Sequence, residues 1–286
     1  MQGIKKLRDK MIRELNAIYP EKESYNLANW LFFSVAGMDK KEFSLDPGKF
    51  TNEKIEAELL MKLKELMLHK PIQYVTGRAY FHGLELEVDS SVLIPRPETE
   101  ELVKWVADDH PGNSGLKVLD IGTGSACIIL ALGRLLTDPV LSAVDISQSA
   151  LEIASRNAEK LNVRIDFRKV NILDERQWID LGDFDVIISN PPYVRNLEKS
   201  KMQANVLDYE PHEALFVPDD DPLIYYRAIA KFSVMKLSPG GKLYLEINEN
   251  LGEETVLLLK NEGFADIILK KDIHCKDRMI RCMRIT

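Results

Sequence analysis

Hydrophobic residues recur every three or four positions in the first part of the chain, which is the period of an α-helix that buries one face. The first such face consists of Ile4, Leu7, Met11, Leu15 and Ile18. Ser24 is the expected N-cap of a second helix that ends at Gly37, and Thr51 is the expected N-cap of a third that Pro71 ends. Three helices with one apolar face each predict a small helical domain over residues 1–75.

The period of the pattern changes from 3.6 to 2 residues at Tyr80. Leu84, Leu86 and Val88 then alternate with acidic residues, which predicts a β-hairpin. Two prolines follow shortly afterwards and favour an extended connection. We therefore expect residues 76–97 to form a hairpin and a proline-rich linker.

Short apolar segments of strand length alternate with helix-length segments from Lys117 onward. This alternation predicts an α/β domain over residues 98–286, with a mostly parallel sheet that carries helices on both faces. The last two apolar segments, 265–273 and 279–285, have no helix between them. They predict an antiparallel hairpin at the end of the sheet.

The composition, 45% hydrophobic and 29% charged, is that of a globular protein. No apolar run approaches the ~20 residues that cross a bilayer, and the N-terminus lacks the apolar core of a secretion signal. We therefore expect a cytoplasmic protein without membrane association. Cys127, Cys275 and Cys282 lack paired spacing, which favours reduced thiols over disulfides or a metal site.

The net charge of −7 is unevenly distributed. Residues 1–75 contain 13 lysines and arginines against 11 acidic residues, whereas the remainder contains 25 against 34. An acidic domain repels the phosphate backbone, whose attraction to basic side chains supplies most non-specific nucleic-acid affinity. The distribution therefore disfavours stable nucleic-acid binding.

A glycine turn joins a predicted strand to a predicted helix in the segment Val118-Leu-Asp-Ile-Gly-Thr-Gly-Ser-Ala-Cys127. Such a turn is in some proteins only structural, but Asp145 ends the next strand about twenty residues later, where a carboxylate can accept both ribose hydroxyls. A cofactor that carries a nucleoside is therefore favoured. NAD and FAD are the minority interpretation, because Cys127 occupies the position of the third glycine of dinucleotide-binding turns.

The tetrapeptide Asn190-Pro-Pro-Tyr193 directly follows another apolar strand. It can be a simple strand-ending turn. However, the Asn190 side-chain carbonyl and the Pro191 backbone carbonyl can together accept both hydrogens of a planar NH₂ group, and Tyr193 can cover the face of that group. The motif therefore favours a site for an amide or an exocyclic amine.

These two motifs together resemble class I S-adenosylmethionine-dependent methyltransferases, and the tetrapeptide resembles the subset that methylates planar nitrogens. Flanking segments are similar to the HemK/PrmC family of release factor glutamine N5-methyltransferases, at residues 71–77, 81–83, 92–100, 209–215 and 239–241 with Glu246. The resemblance implies a Rossmann-like domain with a seven-stranded sheet, preceded by a helical bundle that docks the substrate. It also implies methylation of the glutamine in the Gly-Gly-Gln loop of class-1 release factors, in support of translation termination, by a protein that we expect to be monomeric.

The resemblance also assigns site residues to this chain. The implied cofactor-binding residues for S-adenosyl-L-methionine are Asp120, Gly122, Thr123, Gly124, Ser125, Ala126, Asp145, Ile172 and Asn190. The implied catalytic residues are Asn190, Pro191 and Tyr193, and the implied substrate-binding residues are Asn190, Pro191, Pro192, Tyr193 and Arg96. Four positions depart from the family pattern: Asn171 replaces an acidic residue, and glycines are replaced by Ala126, Asn248 and Cys275.

The expected reaction is an in-line displacement, in which the glutamine amide nitrogen attacks the sulfonium methyl group. Because the lone pair of an amide nitrogen is delocalised, the site has to orient and polarise it, and no general base is required. Two alternatives remain open. One is a nucleic-acid adenine-N6 or cytosine-N4 methyltransferase, which grips the same kind of amine on a flipped base. The other is a non-enzymatic adaptor that retains the fold.

Overall fold

The structure is a computed structural model that describes residues 3–37, 41 and 52–285. The chain divides into two compact units. The first comprises Met1–Arg78 and Gln203–Tyr209, and the second comprises Ala79–Met202 and Glu210–Thr286. None of the helices in the described ranges is long and apolar enough to cross a membrane.

The first unit is helical. Its helices are α1 (Ile4–Leu15), α2 (Glu21–Ala36), α3 (Glu53–Met67) and α4 (Ile72–Thr76), with the short α8 (Ala204–Tyr209) joining them from later in the chain. The predicted apolar face of α1 is buried from Ile4 to Leu15, whereas Ile18 lies beyond the end of the helix and is partly exposed. The Tyr209 hydroxyl of α8 donates a hydrogen bond of 2.7 Å to the Leu68 carbonyl, just after α3.

The helix starts differ from the predicted N-caps. The prediction that Ser24 caps α2 is wrong, because α2 begins at Glu21 and the Ser24 hydroxyl instead donates back to the Tyr19 carbonyl. Thr51 lies outside the described residues. The cap of α3 is Asn52, whose side-chain oxygen accepts the backbone N–H of Ile55 at 2.8 Å.

The second unit begins with a two-stranded hairpin of β1 (Arg78–Phe81) and β2 (Leu84–Glu87), followed by α5 (Pro97–Asp109). Its main sheet contains β3 (Lys117–Ile121), β4 (Val140–Asp145), β5 (Ile165–Lys169), β6 (Phe184–Ser189), β9 (Leu237–Glu246), β10 (Phe264–Lys271) and β11 (Asp277–Arg284). The helices α6 (Cys127–Leu135), α7 (Gln148–Leu161), α9 (Ile224–Lys236) and α10 (Gly252–Asn261) alternate with these strands, and β7 (Val194–Arg195) pairs separately with β8 (Phe216–Val217).

The seven strands of the main sheet lie in the order β10-β11-β9-β6-β3-β4-β5. Five of them are parallel, and β10 and β11 form an antiparallel pair at the edge, so the predicted fold class is confirmed. One apolar cluster covers each face of the sheet: Val186 belongs to the first cluster and its neighbour Ile187 to the second. Alternate residues of a central strand are thus buried on opposite faces, as expected of a doubly wound sheet.

The strand order reverses direction between β3 and β6. From β3 the chain proceeds to β4 and β5 on one side, and it then returns to place β6 on the other side of β3. Loops that leave two such strands diverge, and the crevice between them at their carboxyl ends is the usual ligand site of an open α/β sheet. The glycine turn follows β3, and Asn190 follows β6.

Candidate functional site

A cavity of about 340 Å³ opens at this crevice, and its walls belong entirely to the second unit. Ten of the predicted site residues line it: Arg96, Gly122, Thr123, Gly124, Ser125, Asp145, Ile172, Asn190, Pro191 and Pro192. Asp120, Ala126 and Tyr193 do not belong to the wall. The cavity therefore brings together ten of the thirteen predicted site residues, and the other three lie outside its wall.

The glycine turn is held against the end of β4. The backbone N–H groups of Gly122 and Thr123 both donate to the Val144 carbonyl, at 2.8 and 3.1 Å. Gly122 and Gly124 have φ angles of +74° and +54°, which L side chains rarely adopt, and a Cβ atom at either would meet open space. The turn therefore needs glycine for its backbone conformation, and its surface toward the cavity is bare.

Asp145 connects the end of β4 to this turn. Its carboxylate accepts the backbone N–H groups of Gly124 and Ser147, each at 2.9 Å. Burial raises the pKa of the Asp145 carboxyl, and these backbone hydrogen bonds oppose the rise. A carboxylate offers about four lone-pair positions, so Asp145 retains acceptor capacity toward the cavity.

Asp120 and Ala126 lie beneath the turn. One Asp120 carboxylate oxygen accepts the Thr123 hydroxyl at 2.7 Å, and the other is buried with no hydrogen-bond partner among the described residues. Burial raises the pKa of Asp120 to about 7. Ala126 is fully buried at the start of α6 with φ +65°, so the residue that replaces the family's glycine adopts a conformation that favours glycine.

Asn190 lines the cavity, and only one end of its amide has a hydrogen-bond partner among the described residues. Its Nδ2 atom donates to the Thr99 hydroxyl at 3.1 Å. Its Oδ1 atom accepts no hydrogen bond from the part of the chain that the structure describes. The cavity wall continues through Pro191 and Pro192. Carbonyl oxygens at this position can accept N–H groups from a bound ligand.

Tyr193 lies behind this wall and packs against the apolar cluster on its side of the sheet. Its hydroxyl donates to the Glu246 carboxylate at 3.0 Å, and its carbonyl accepts Asn248 Nδ2 at 3.0 Å. Burial, and next the negative charge of Glu246, raise the pKa of the Tyr193 phenol well above its ordinary value. The phenol is therefore neutral and fixed by its hydrogen bond.

Arg96 lies on the rim of the cavity, where it pairs with a buried acid. Its guanidinium is 2.6 Å from the Glu210 carboxylate, whose side chain is 1% exposed. The second Glu210 oxygen accepts the backbone N–H of Ile94 at 3.2 Å. Arg96 is thereby held in place while about a third of its side chain stays accessible.

Other wall residues were not predicted from the sequence. They are mostly apolar and come from several segments, and they include Leu93, Thr99, Ile146, Leu173, Glu213, Tyr225 and Ile229. Ile146 and Leu173 directly follow residues that were singled out, at the ends of β4 and of the β5 loop, so proximity to a strand end was the available signal. Tyr225 and Ile229 come from α9, for which no motif was present.

Comparison with known proteins identifies the family. A family model described as the methyltransferase small domain matches residues 99–214. A release factor glutamine methyltransferase from Flavobacterium psychrophilum is 44% identical over 285 residues, which is 97% of this chain and 98% of that protein. The chain belongs to the family of release factor glutamine methyltransferases. The predicted family resemblance is thus confirmed.

A second relative agrees with this family assignment, and a solved structure shares the fold. A relative of the same name from Bacteroides thetaiotaomicron is 40% identical over 272 residues, covering 95% of this chain and 97% of that one. The crystal structure of a methyltransferase from Pyrococcus furiosus matches 83% of this chain and 100% of its own, with a TM-score of 0.51 and 19% identity. The structural match supports the methyltransferase fold.

Proposed function

We propose that this protein transfers a methyl group from S-adenosylmethionine to the side-chain amide nitrogen of the glutamine in the Gly-Gly-Gln loop of a class-1 release factor. The observation that carries the proposal is the Asn190 amide in a cavity shared with the glycine turn: its nitrogen is bound to Thr99, and its oxygen accepts no hydrogen bond from the described residues. Full-length relatives that carry this name support the choice of substrate. A protein that modifies release factors acts in the cytoplasm, and the modification supports translation termination.

The residues that line the cavity fit S-adenosylmethionine. Asp145 retains acceptor capacity for the ribose hydroxyls, and Ile146 and Ile172 provide apolar surface for the adenine. The bare surface of Gly122 and Gly124 admits a ligand close to the backbone. When bound, the cofactor supplies an electrophilic methyl group.

The chain's own contribution is to orient the acceptor amide. The Asn190 Oδ1 atom and the Pro191 carbonyl accept the two N–H groups of the glutamine side chain, so that the nitrogen is held in one direction. Negative ends of these dipoles face the nitrogen as positive charge develops on it during methyl transfer. The proton leaves after transfer, and no side chain has to remove it beforehand.

Arg96 and Tyr193 support the substrate in different ways. Arg96, held by Glu210 on the rim, is available to the backbone of the incoming loop. Tyr193 supports the turn from behind through its bond to Glu246. We further propose that the helical unit docks the body of the release factor, because a loop by itself offers little surface for recognition.

The test is methyl transfer from labelled S-adenosylmethionine to a purified class-1 release factor, with a release factor whose loop glutamine is replaced by alanine as the control. We expect label only in the intact release factor. Asn190→Ala should lower turnover by about 10²-fold, the scale for removal of one preorganised polar group. Asn190→Asp keeps one acceptor oxygen, so its turnover should fall less than that of Asn190→Ala.

Three results would contradict this proposal. Equal labelling of the release factor without the glutamine would place the modification elsewhere. Label in duplex DNA, offered in a parallel reaction, with none in the release factor would favour the nucleic-acid alternative. Parental turnover by Asn190→Ala at saturating cofactor would reduce Asn190 to a residue of the turn.

A further inference from the structure

Four polar side chains form one series of hydrogen bonds, which begins at Asn190 and Thr99 in the cavity wall and continues to Glu246 and Tyr193 outside it. Asn190 Nδ2 donates to the Thr99 hydroxyl at 3.1 Å, and the Thr99 hydroxyl donates to one Glu246 oxygen at 2.6 Å. The other Glu246 oxygen accepts the Tyr193 hydroxyl at 3.0 Å. Thr99 and Glu246 are 2% and 1% exposed, so neither exchanges these partners for solvent.

The direction of these hydrogen bonds is determined by the Glu246 carboxylate. An ionised carboxylate only accepts hydrogen bonds, so the single Thr99 proton is committed to Glu246. The Thr99 oxygen can then only accept, and Asn190 has to offer it the NH₂ end of the amide. The Oδ1 end of Asn190 is consequently turned to the cavity.

The surroundings of Glu246 bear on its ionisation. Burial raises the pKa of this carboxyl, and the hydrogen bonds from Thr99 and Tyr193 and the positive charge of Arg278 oppose the rise. Glu98 adds a smaller rise. These three groups limit the rise without cancelling it, and the hydrogen bonds have the stated direction in the charged form of Glu246, at a pH above its raised pKa.

We infer that Thr99 and Glu246 are positioning residues that determine which end of the Asn190 amide faces the substrate; this inference rests on the proposed function. The two ends of an asparagine amide have nearly the same size, so the cavity shape alone does not choose between them. The wrong end would place N–H groups against the N–H groups of the acceptor glutamine. A fixed orientation therefore has a direct effect on methyl transfer.

The first experiment compares kcat and KM of Thr99→Val, Thr99→Ser and the parent in methyl transfer to the release factor. Thr99→Val keeps the shape and removes the hydroxyl, so we expect kcat to fall about tenfold, the effect of one ordinary hydrogen bond. KM for S-adenosylmethionine should not change. Thr99→Ser restores the hydroxyl and should recover kcat to within about twofold of the parent.

The control and a double variant separate positioning from general structure. Thr255→Val removes an equally buried hydroxyl, which donates to the Leu251 carbonyl away from the cavity, and should leave kcat at the parental value. In the Asn190→Ala background, Thr99→Val should cause no further loss of kcat, because the residue through which it acts is gone. Additive losses, or parental kcat in Thr99→Val, would overturn the inference.

Two further measurements test the inference if Thr99→Val does not fold or if the parent labels no release factor. If Thr99→Val does not fold, Glu246→Gln replaces one acceptor oxygen with a donor and should lower kcat by about the same tenfold. If the parent labels no release factor, the proposed function fails, and NMR of the Asn190 side-chain NH₂ group decides separately. Proton exchange of that group should be slow in the parent and fast in Thr99→Val, and equal rates would contradict the inference.

Discussion

The Asp120 carboxyl lies beneath the glycine turn, and its titration should be visible in the stability of the protein. Burial raises its pKa from an ordinary value near 4 to about 7, and the charge of Asp145 adds to the rise against the Thr123 hydrogen bond. Between these two values the folded protein binds more protons than the unfolded chain, so stability falls as the pH rises through that range. Above pH 7 this loss of stability is complete. It amounts to roughly 4 kcal/mol for a rise of about three in the pKa.

Asp120→Asn removes this titration and keeps an oxygen for the Thr123 hydroxyl. The parent loses stability as this carboxyl ionises, whereas the variant does not. We therefore expect the free energy of unfolding of the variant, minus that of the parent, to increase as the pH rises from about 5 to 8. Urea unfolding of both proteins at several pH values measures the difference. Parallel curves over this range would show that Asp120 does not titrate there.

Some residues of the site could be predicted from the sequence, and others could not. Gly122, Gly124 and Asn190 occur in short motifs that follow strands, so parallel-sheet topology alone brought them to one cavity. The bond between Thr99 and Glu246 joins residues 147 positions apart, and no local pattern records such a contact. For the same reason the sequence singled out Arg96 without Glu210, its partner 114 positions away.

Strand β9 contains a glycine whose substitution should be costly. A Cβ atom on Gly241 would lie 2.8 Å from the Ser238 carbonyl and 3.1 Å from the Asp185 carbonyl, and backbone atoms have little freedom to move. We expect Gly241→Ala to lower the free energy of unfolding by about 1–3 kcal/mol, the range for overpacking. Denaturant unfolding measures this loss.

Gly182→Ala, in the loop before β6, is the control for this substitution. A Cβ atom on Gly182 meets open space, and its φ angle does not require glycine. Its free energy of unfolding should change by less than about 1 kcal/mol, with a gain expected because alanine restricts the unfolded chain. Equal losses in the two variants would mean that the close approach in β9 has no energetic effect.

Secondary structure was predicted best where the period of the pattern was long and regular. The alternation after Lys117 anticipated the parallel strands and the antiparallel pair at the sheet edge. The start of α2 was missed because Pro20 already has a backbone compatible with a helix start, so the helix begins before Ser24. Helix α8 has only six residues, too few for a period to be read.

The charge distribution of the chain leads to a prediction about its partners. The net charge of −7, with the excess of acidic residues after residue 75, opposes binding to a polyanion. We expect duplex DNA to bind more weakly than a Kd of about 10⁻⁴ M at physiological salt, the weak end of non-specific binding. Filter binding at several salt concentrations measures this, and tight binding with a steep salt dependence would reverse the expectation.

The path of the chain between the two units has a consequence for synthesis on the ribosome. The helices of the first 78 residues are made first, but α8, which completes their unit, follows only after residues 79–202. At roughly 5–20 residues per second, that delay is on the order of ten seconds. During that time the Leu68 carbonyl at the end of α3 lacks the Tyr209 hydroxyl that later caps it. The nascent helical unit therefore stays incomplete until α8 has been synthesised. A truncated chain that ends before residue 203 never completes this unit.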